Sequence, residues 1–114
     1  MQALTSHIIP AESRAVAALV KKHILFADAT AGVILFGSRA RGDAAEDSDW
    51  DLLVLTKRTD TEVFADELRK IMLRQVEMKH GVAISLIVKN EEVWQNDYAV
   101  TNIYESIQEE GILL

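Results

Sequence analysis

Hydrophobic patterning along the chain predicts the α+β class, a small mixed β-sheet flanked by helices. Two observations carry this expectation. Apolar stripes of helical period alternate with short apolar runs of strand length, and the order reads helix, strand, strand, helix, strand, helix. No sequence period repeats, no segment is low in complexity, and the only proline is Pro10, so residues 1–114 read as a single domain.

Pro10 suits the first turn of a helix, where its missing N–H would have had no partner. From there Val16, Leu19, Val20, His23, Ile24 and Ala27 share one stripe, while Arg14, Lys21 and Lys22 lie off it, giving a helix that ends near Asp28. Gly32 to Phe36 is a short run of strand formers stopped by Gly37, which reads as a buried strand feeding a tight turn. The stretch from Ser38 to Ser48 is polar, and strand character returns from Asp49 to Leu55. Thr59 and Glu62 have capping-box spacing ahead of a second helix with Phe64, Leu68, Ile71 and Met72 on its apolar face. That helix runs to Lys79, with Gly81 placed to end it. Val82 to Val88 reads as a third strand and Glu91 to Gln95 as a short helical turn. Val100, Ile103, Tyr104 and Ile107 form the expected buried stripe of a last helix stopped at Gly111, and Ile112 to Leu114 is expected to add an edge strand.

Composition narrows the function. A chain of 114 residues, 49% hydrophobic and 26% charged, can bury one modest core. Its net charge of −6 argues against nucleic acid as a partner, because tracking a phosphate backbone takes clustered Lys and Arg. The absence of cysteine excludes disulfides, thiolate metal sites and a cysteine nucleophile. Met1 to Pro10 lacks a basic start followed by a long apolar run, and no stretch approaches the roughly 20 apolar residues of a membrane span. A cytoplasmic location without membrane association is therefore expected.

The chemistry gathers around two short segments. Asp49 and Asp51 flank Trp50 at the start of a strand, and the two-residue period of a strand aims both carboxylates to one side. Adjacent like charges are tolerable if a divalent cation sits between them, and carboxylate plus phosphate oxygens are what Mg²⁺ selects. Upstream, Gly37 lets the backbone approach a ligand, Ser38 offers a hydroxyl and an N–H, and a helical turn beginning there would aim further N–H groups at an anion. Taken singly, Gly37 could serve only a turn, Ser38 only a cap and Asp49 only a loop end. Their coincidence is what favours a phosphate site facing a metal site.

Gly37-Ser38-Arg39-Ala40-Arg41-Gly42 followed by Ser48-Asp49-Trp50-Asp51-Leu52 resembles the signature of minimal nucleotidyltransferases of the DNA polymerase beta superfamily. The tail from Ile103 to Leu113 is similar to the ending of many short members. The resemblance implies a polymerase beta-like nucleotidyltransferase fold. It implies that Gly37 and Ser38 bind the triphosphate of a nucleotide, with ATP expected, and that Asp49 and Asp51 are catalytic and bind Mg²⁺. An acceptor hydroxyl would attack the α-phosphate and release pyrophosphate. Short members are frequently antitoxins paired with a helical HEPN ribonuclease toxin, so such a toxin is an expected partner. The chain is too small to hold a separate acceptor domain, so a partner macromolecule or a second copy in a homo-oligomer must complete any acceptor site.

The sequence departs from the family pattern at one place. Fully equipped members carry a third acidic residue on a later strand, whereas Gly81 to Val88 offers Ser85, a weak metal ligand and no general base near neutral pH. The alternative is then a catalytically inactive nucleotide-binding or toxin-binding module of the same fold. Asp43, Glu46, Asp47 and Glu91 are other carboxylates, but none lies on a strand that would aim it predictably. Arg39 and Arg41 suit triphosphate contact, yet two residues apart on a helical turn they cannot both face it. His7, His23 and His80 lack metal-ligand spacing. Trp50 should point away from the aspartates into the core, Trp94 could stack a base, and Lys57-Arg58 reads as a solvated strand end.

Overall fold

The alternating apolar residues of the strands give the sheet two buried faces, and a helical layer covers each of them. The structure is a computed structural model, and it describes residues 1–3, 10–45 and 47–114. His7 and Glu46 lie outside the described residues. The elements are β1 (Gln2–Ala3), α1 (Ala11–Ala27), β2 (Gly32–Phe36), α2 (Ser38–Arg41), β3 (Trp50–Thr56), α3 (Thr61–Met72), a π turn (Leu73–Glu77), α4 (Met78–His80), β4 (Ile84–Asn90), α5 (Glu91–Asp97), α6 (Asn102–Glu110) and β5 (Ile112–Leu113). Among the described residues, five strands form one mixed sheet in the order β1-β5-β2-β3-β4. β2 is antiparallel to both β3 and β5, while β3 with β4 and β1 with β5 are parallel. This is the mixed sheet flanked by helices that the patterning predicts.

On one face Val33, Leu35, Trp50, Leu52, Val54, Leu86 and Val88 pack against Val16, Ala17, Val20 and Ile24 of α1 and Phe64, Ala65, Leu68 and Met72 of α3. Val76 of the π turn extends the same cluster. On the other face Ile34 and Leu53 meet Trp94 of α5 and Ile107 of α6, with Phe36, Leu55, Ile87, Tyr98 and Tyr104 around them. Trp94 is buried, with its ring 5.5 Å from that of Tyr98 and 5.2 Å from that of Tyr104. It is a core residue and presents no face for stacking a base.

Several boundaries differ from the sequence expectations, each for a local reason. Asp60 rather than Thr59 precedes α3, and no side-chain cap forms there, so the spacing of Thr59 and Glu62 does not produce a capping box. The helix continues through a π turn, which has no periodic signature, and stops at Gly81 as expected. Thr101 caps α6 by accepting a hydrogen bond from Tyr104 N. The helix therefore begins after Val100, which is 92% exposed, and Ile103 is also exposed, leaving Tyr104 and Ile107 as the inward stripe. β5 is not an edge strand: it lies between β1 and β2, pairing Gln2 with Ile112 and Leu35 with Ile112. β1, too short to show any pattern, takes the edge.

Candidate active site

The antiparallel register of β2 and β3 brings the chemistry-bearing segments together. Phe36 pairs with Asp51, so the chain leaves β2 through Gly37 and Ser38 beside the first residues of β3. Gly37 has φ of +75°, and a Cβ there would overlap the Asp51 carboxylate, with the Asp51 Cγ at 3.1 Å. Glycine is required both by the backbone conformation and by the approach of Asp51. α2 follows as a single turn closed by Arg41 N and Ala40 N donating to Gly37 O, at 3.0 and 3.1 Å. The Ser38 hydroxyl has no hydrogen-bond partner among the described residues.

Asp49 precedes β3 and is exposed, while Asp51 is half-buried on the same sheet face as Leu53. Burial and the neighbouring Asp49 raise the Asp51 carboxyl above the usual carboxylate range, Arg41 opposes the rise, and Glu110 adds to it. The charges acting on Asp51 are thus two carboxylates, Asp49 and Glu110, and the Arg41 guanidinium. Among the described residues no group of three His, Cys, Asp or Glu side chains has the geometry to hold a metal by itself. Asp49 and Asp51 instead offer the one or two carboxylates that Mg²⁺ takes when substrate phosphates complete its shell. Ser85 lies on β4 in register with Asp51, so a hydroxyl stands on the strand next to that carboxylate.

The two arginines part company. Arg39 Nε and Nη2 donate to the Ser48 carbonyl at 3.0 and 2.8 Å, and its guanidinium lies 5.1 Å from the centre of the Trp50 ring. It braces the loop between α2 and β3 on the closed face of the sheet. Arg41 turns the other way: its Nη1 is 3.2 Å from each oxygen of Glu110, and its Nε is 3.3 Å from Asp43 Oδ2. Gly37 N also donates to Glu110 Oε1, at 3.2 Å. Glu110 is the residue that sequence reasoning passes over. Its only signal is its place in the tail, since no spacing rule connects the end of α6 to a turn so far upstream.

The other candidates have structural partners. Trp50 is buried against α1 and α3, as its alternation with the aspartates implies. Arg58 pairs with Asp60 and lies over the Phe64 ring at 4.4 Å. His23 is half-buried on α1, and burial with Lys22 and Lys79 nearby lowers its pKa.

A Gly-Ser turn leaving one strand, an Asp-x-Asp entering the adjoining strand and a mixed sheet between helices define a nucleotidyl-transferring domain. The chain belongs to the family described as nucleotidyltransferase domain, which it matches over residues 17–114. It is of the minimal type: a solved structure described as a putative minimal nucleotidyltransferase covers 91% of this chain and 90% of its own, with a TM-score of 0.53 and 28% identity. Two proteins of Methanocaldococcus jannaschii, each named as a putative protein adenylyltransferase, are similar in sequence. One is 38% identical over 82 residues, 72% of this chain and 75% of the relative. The other is 41% identical over 61 residues, 54% and 61% respectively.

Proposed function

We propose that this nucleotidyltransferase moves AMP from ATP, with Mg²⁺, onto a hydroxyl of a partner protein, and that the partner is a HEPN toxin which the modification silences. The observation that carries the reading is the packing of the Asp51 carboxylate, beside Asp49, directly against the Gly37 turn. An ionised pair held in that position, only partly offset by Arg41, is compensated when a divalent cation sits between the carboxylates and the phosphates complete its shell. The names of the two similar archaeal proteins support AMP as the transferred group and a protein as the acceptor.

In this reading Gly37 N–H, the Ser38 hydroxyl and Arg41 hold the triphosphate, and Arg39 keeps the turn in place through Ser48 and Trp50. Asp49 and Asp51 hold Mg²⁺, which when bound supplies neutralisation of charge at the reacting phosphate. The acceptor oxygen attacks the α-phosphorus, the bond from that phosphorus to the bridging oxygen breaks, and pyrophosphate leaves with the electron pair. Arg41 stabilises charge on the departing pyrophosphate. Ser85 cannot remove the acceptor proton near neutral pH, so that proton passes to solvent.

The test is incubation of the protein with ATP labelled at the α-phosphate and Mg²⁺, with and without the protein encoded beside it. Label on the partner that disappears in Asp49→Ala is the expected result, and undiminished label in that variant would remove the metal site from the mechanism. The register of Ser85 with Asp51 favours a second reading, a module that binds nucleotide and toxin without transfer. A stable complex with no label from any of the four nucleotides would decide for it.

A further inference from the structure

The donors proposed to meet the triphosphate already meet an anion. Gly37 N–H donates to Glu110 Oε1 at 3.2 Å, and Arg41 Nη1 is shared between both Glu110 oxygens at 3.2 Å. We infer that the Glu110 carboxylate is a resident competitor for the triphosphate, and that nucleotide binds only when this side chain leaves Gly37 and Arg41. The inference rests on the nucleotide reading above and adds a residue that sets its affinity.

Three features of the site support competition over a supporting role. A backbone N–H carries one hydrogen, so Gly37 cannot serve a carboxylate and a phosphate oxygen together with good geometry. Glu110 also brings a third negative charge to an end of the sheet that holds Asp49 and Asp51, and a triphosphate arriving beside all three would be repelled. Arg41 keeps a second partner in Asp43, at 3.3 Å, so its guanidinium does not depend on Glu110 alone for orientation.

The local structure lets the carboxylate leave without moving the backbone. Glu110 is the last residue of α6, and its side chain, 22% exposed, reaches the seat through rotatable bonds at the rim. Gly111 behind it is fixed: its N–H donates to Ile107 O at 2.8 Å, and a Cβ on it would lie 2.5 Å from that oxygen and 3.0 Å from Ile34. Displacement is therefore a rotamer change at a held helix end. Because only the fraction of molecules with the seat vacated is competent, the apparent affinity is reduced by that fraction.

Isothermal titration of the full chain with ATP, and with adenosine as the phosphate-free control, tests this in the wild type, Glu110→Gln and Glu110→Ala. Glutamine keeps the size and an acceptor oxygen for Gly37 N–H but removes the charge. Both variants should bind ATP with a dissociation constant roughly fivefold lower, the scale of one partly exposed ion pair, and adenosine binding should not change. Thermal melts of the three proteins confirm that each is folded. Equal or weaker ATP binding by the folded variants, with the wild type binding ATP, would overturn the competition and leave the nucleotide reading intact. No ATP binding by any of the three would overturn both.

Discussion

The two faces of the sheet are made by the same strands, yet one is closed and the other ends in a site. Against the closed face, α1 and α3 with its π-turn extension bury residues along the length of β2, β3 and β4. Against the other, the shorter α5 and α6 bury Ile34 and Leu53 with Trp94 and Ile107 and leave Phe36, Leu55 and Ile87 only partly covered. Asp51 shares that second face with Leu53 and lies beyond the cover, where α6 ends at Glu110. The arginines of α2 divide along the same line, Arg39 to Trp50 on the closed side and Arg41 to Glu110 on the open one. The candidate site is a place where a helical layer stops short, and its charges are those a core would not accept.

The sharpest way to break this comparison is Asp51→Asn. Transfer should fall by about a thousandfold, on the scale of losing a preorganised charged group, while the ligand-free protein melts at a higher temperature. The sign follows from the raised carboxyl: the fold penalises the ionised form, the penalty is complete above the folded pKa and vanishes below the unfolded one, and asparagine removes it. A lower melting temperature would mean that Asp51 is satisfied and that the open face is not strained by charge. On the closed face, Phe64→Ala removes a fully buried ring and should cost about 3–5 kcal/mol in urea unfolding. ATP affinity of the folded protein should stay unchanged, and a loss of affinity would show that the two faces are coupled.

The arginines sharpen the contrast at smaller scale. Arg41→Ala should weaken ATP binding by about tenfold, the scale of a charge-assisted contact, while Arg39→Ala should lower stability by about 1 kcal/mol and leave affinity within about twofold. Reversal of that pattern in titrations of both variants would place the triphosphate on the Trp50 side. The smallest effect lies at the far end of β3. Asp28 accepts from Thr56 Oγ1 at 2.7 Å and from Thr30, contacts that hold its carboxyl below the usual carboxylate range. Its stabilisation is present above the unfolded carboxylate pKa and lost as pH falls through the lower folded value. Asp28→Asn should therefore flatten the acid limb of stability against pH, and an unchanged limb would assign acid sensitivity elsewhere.

Much of this was legible from residues close together in the chain. Gly32 to Phe36 with its terminal glycine, the Gly37-Ser38 turn and the alternation of Asp49, Trp50 and Asp51 all act within a few residues, so local patterns were enough. The burial of Trp50 followed from the same alternation. What was not legible depends on partners distant in sequence. The central place of β5 rests on pairing with both β1 and β2, and the role of Glu110 rests on the return of α6 to Gly37. Val100 misled because apolar spacing cannot tell a stripe from its continuation into a loop, a distinction made here by the Thr101 cap, and Ile103, although inside α6, lies off the inward stripe of Tyr104 and Ile107. Trp94 looked available because the tyrosines that enclose it come from beyond its own helix as well as from its end.

The position of β5 also orders events in time. The pairing of Phe36 with Asp51 closes a short loop, whereas the pairing of Gln2 with Ile112 joins opposite ends of the described chain. Because closure entropy grows with the length of chain enclosed, the hairpin that carries Gly37 and Asp51 is expected to form early in folding and the α6–β5 segment late. On that expectation the Gly37 turn is assembled before Glu110 arrives beside it. Substitutions along β5 should accordingly speed unfolding more than they slow folding.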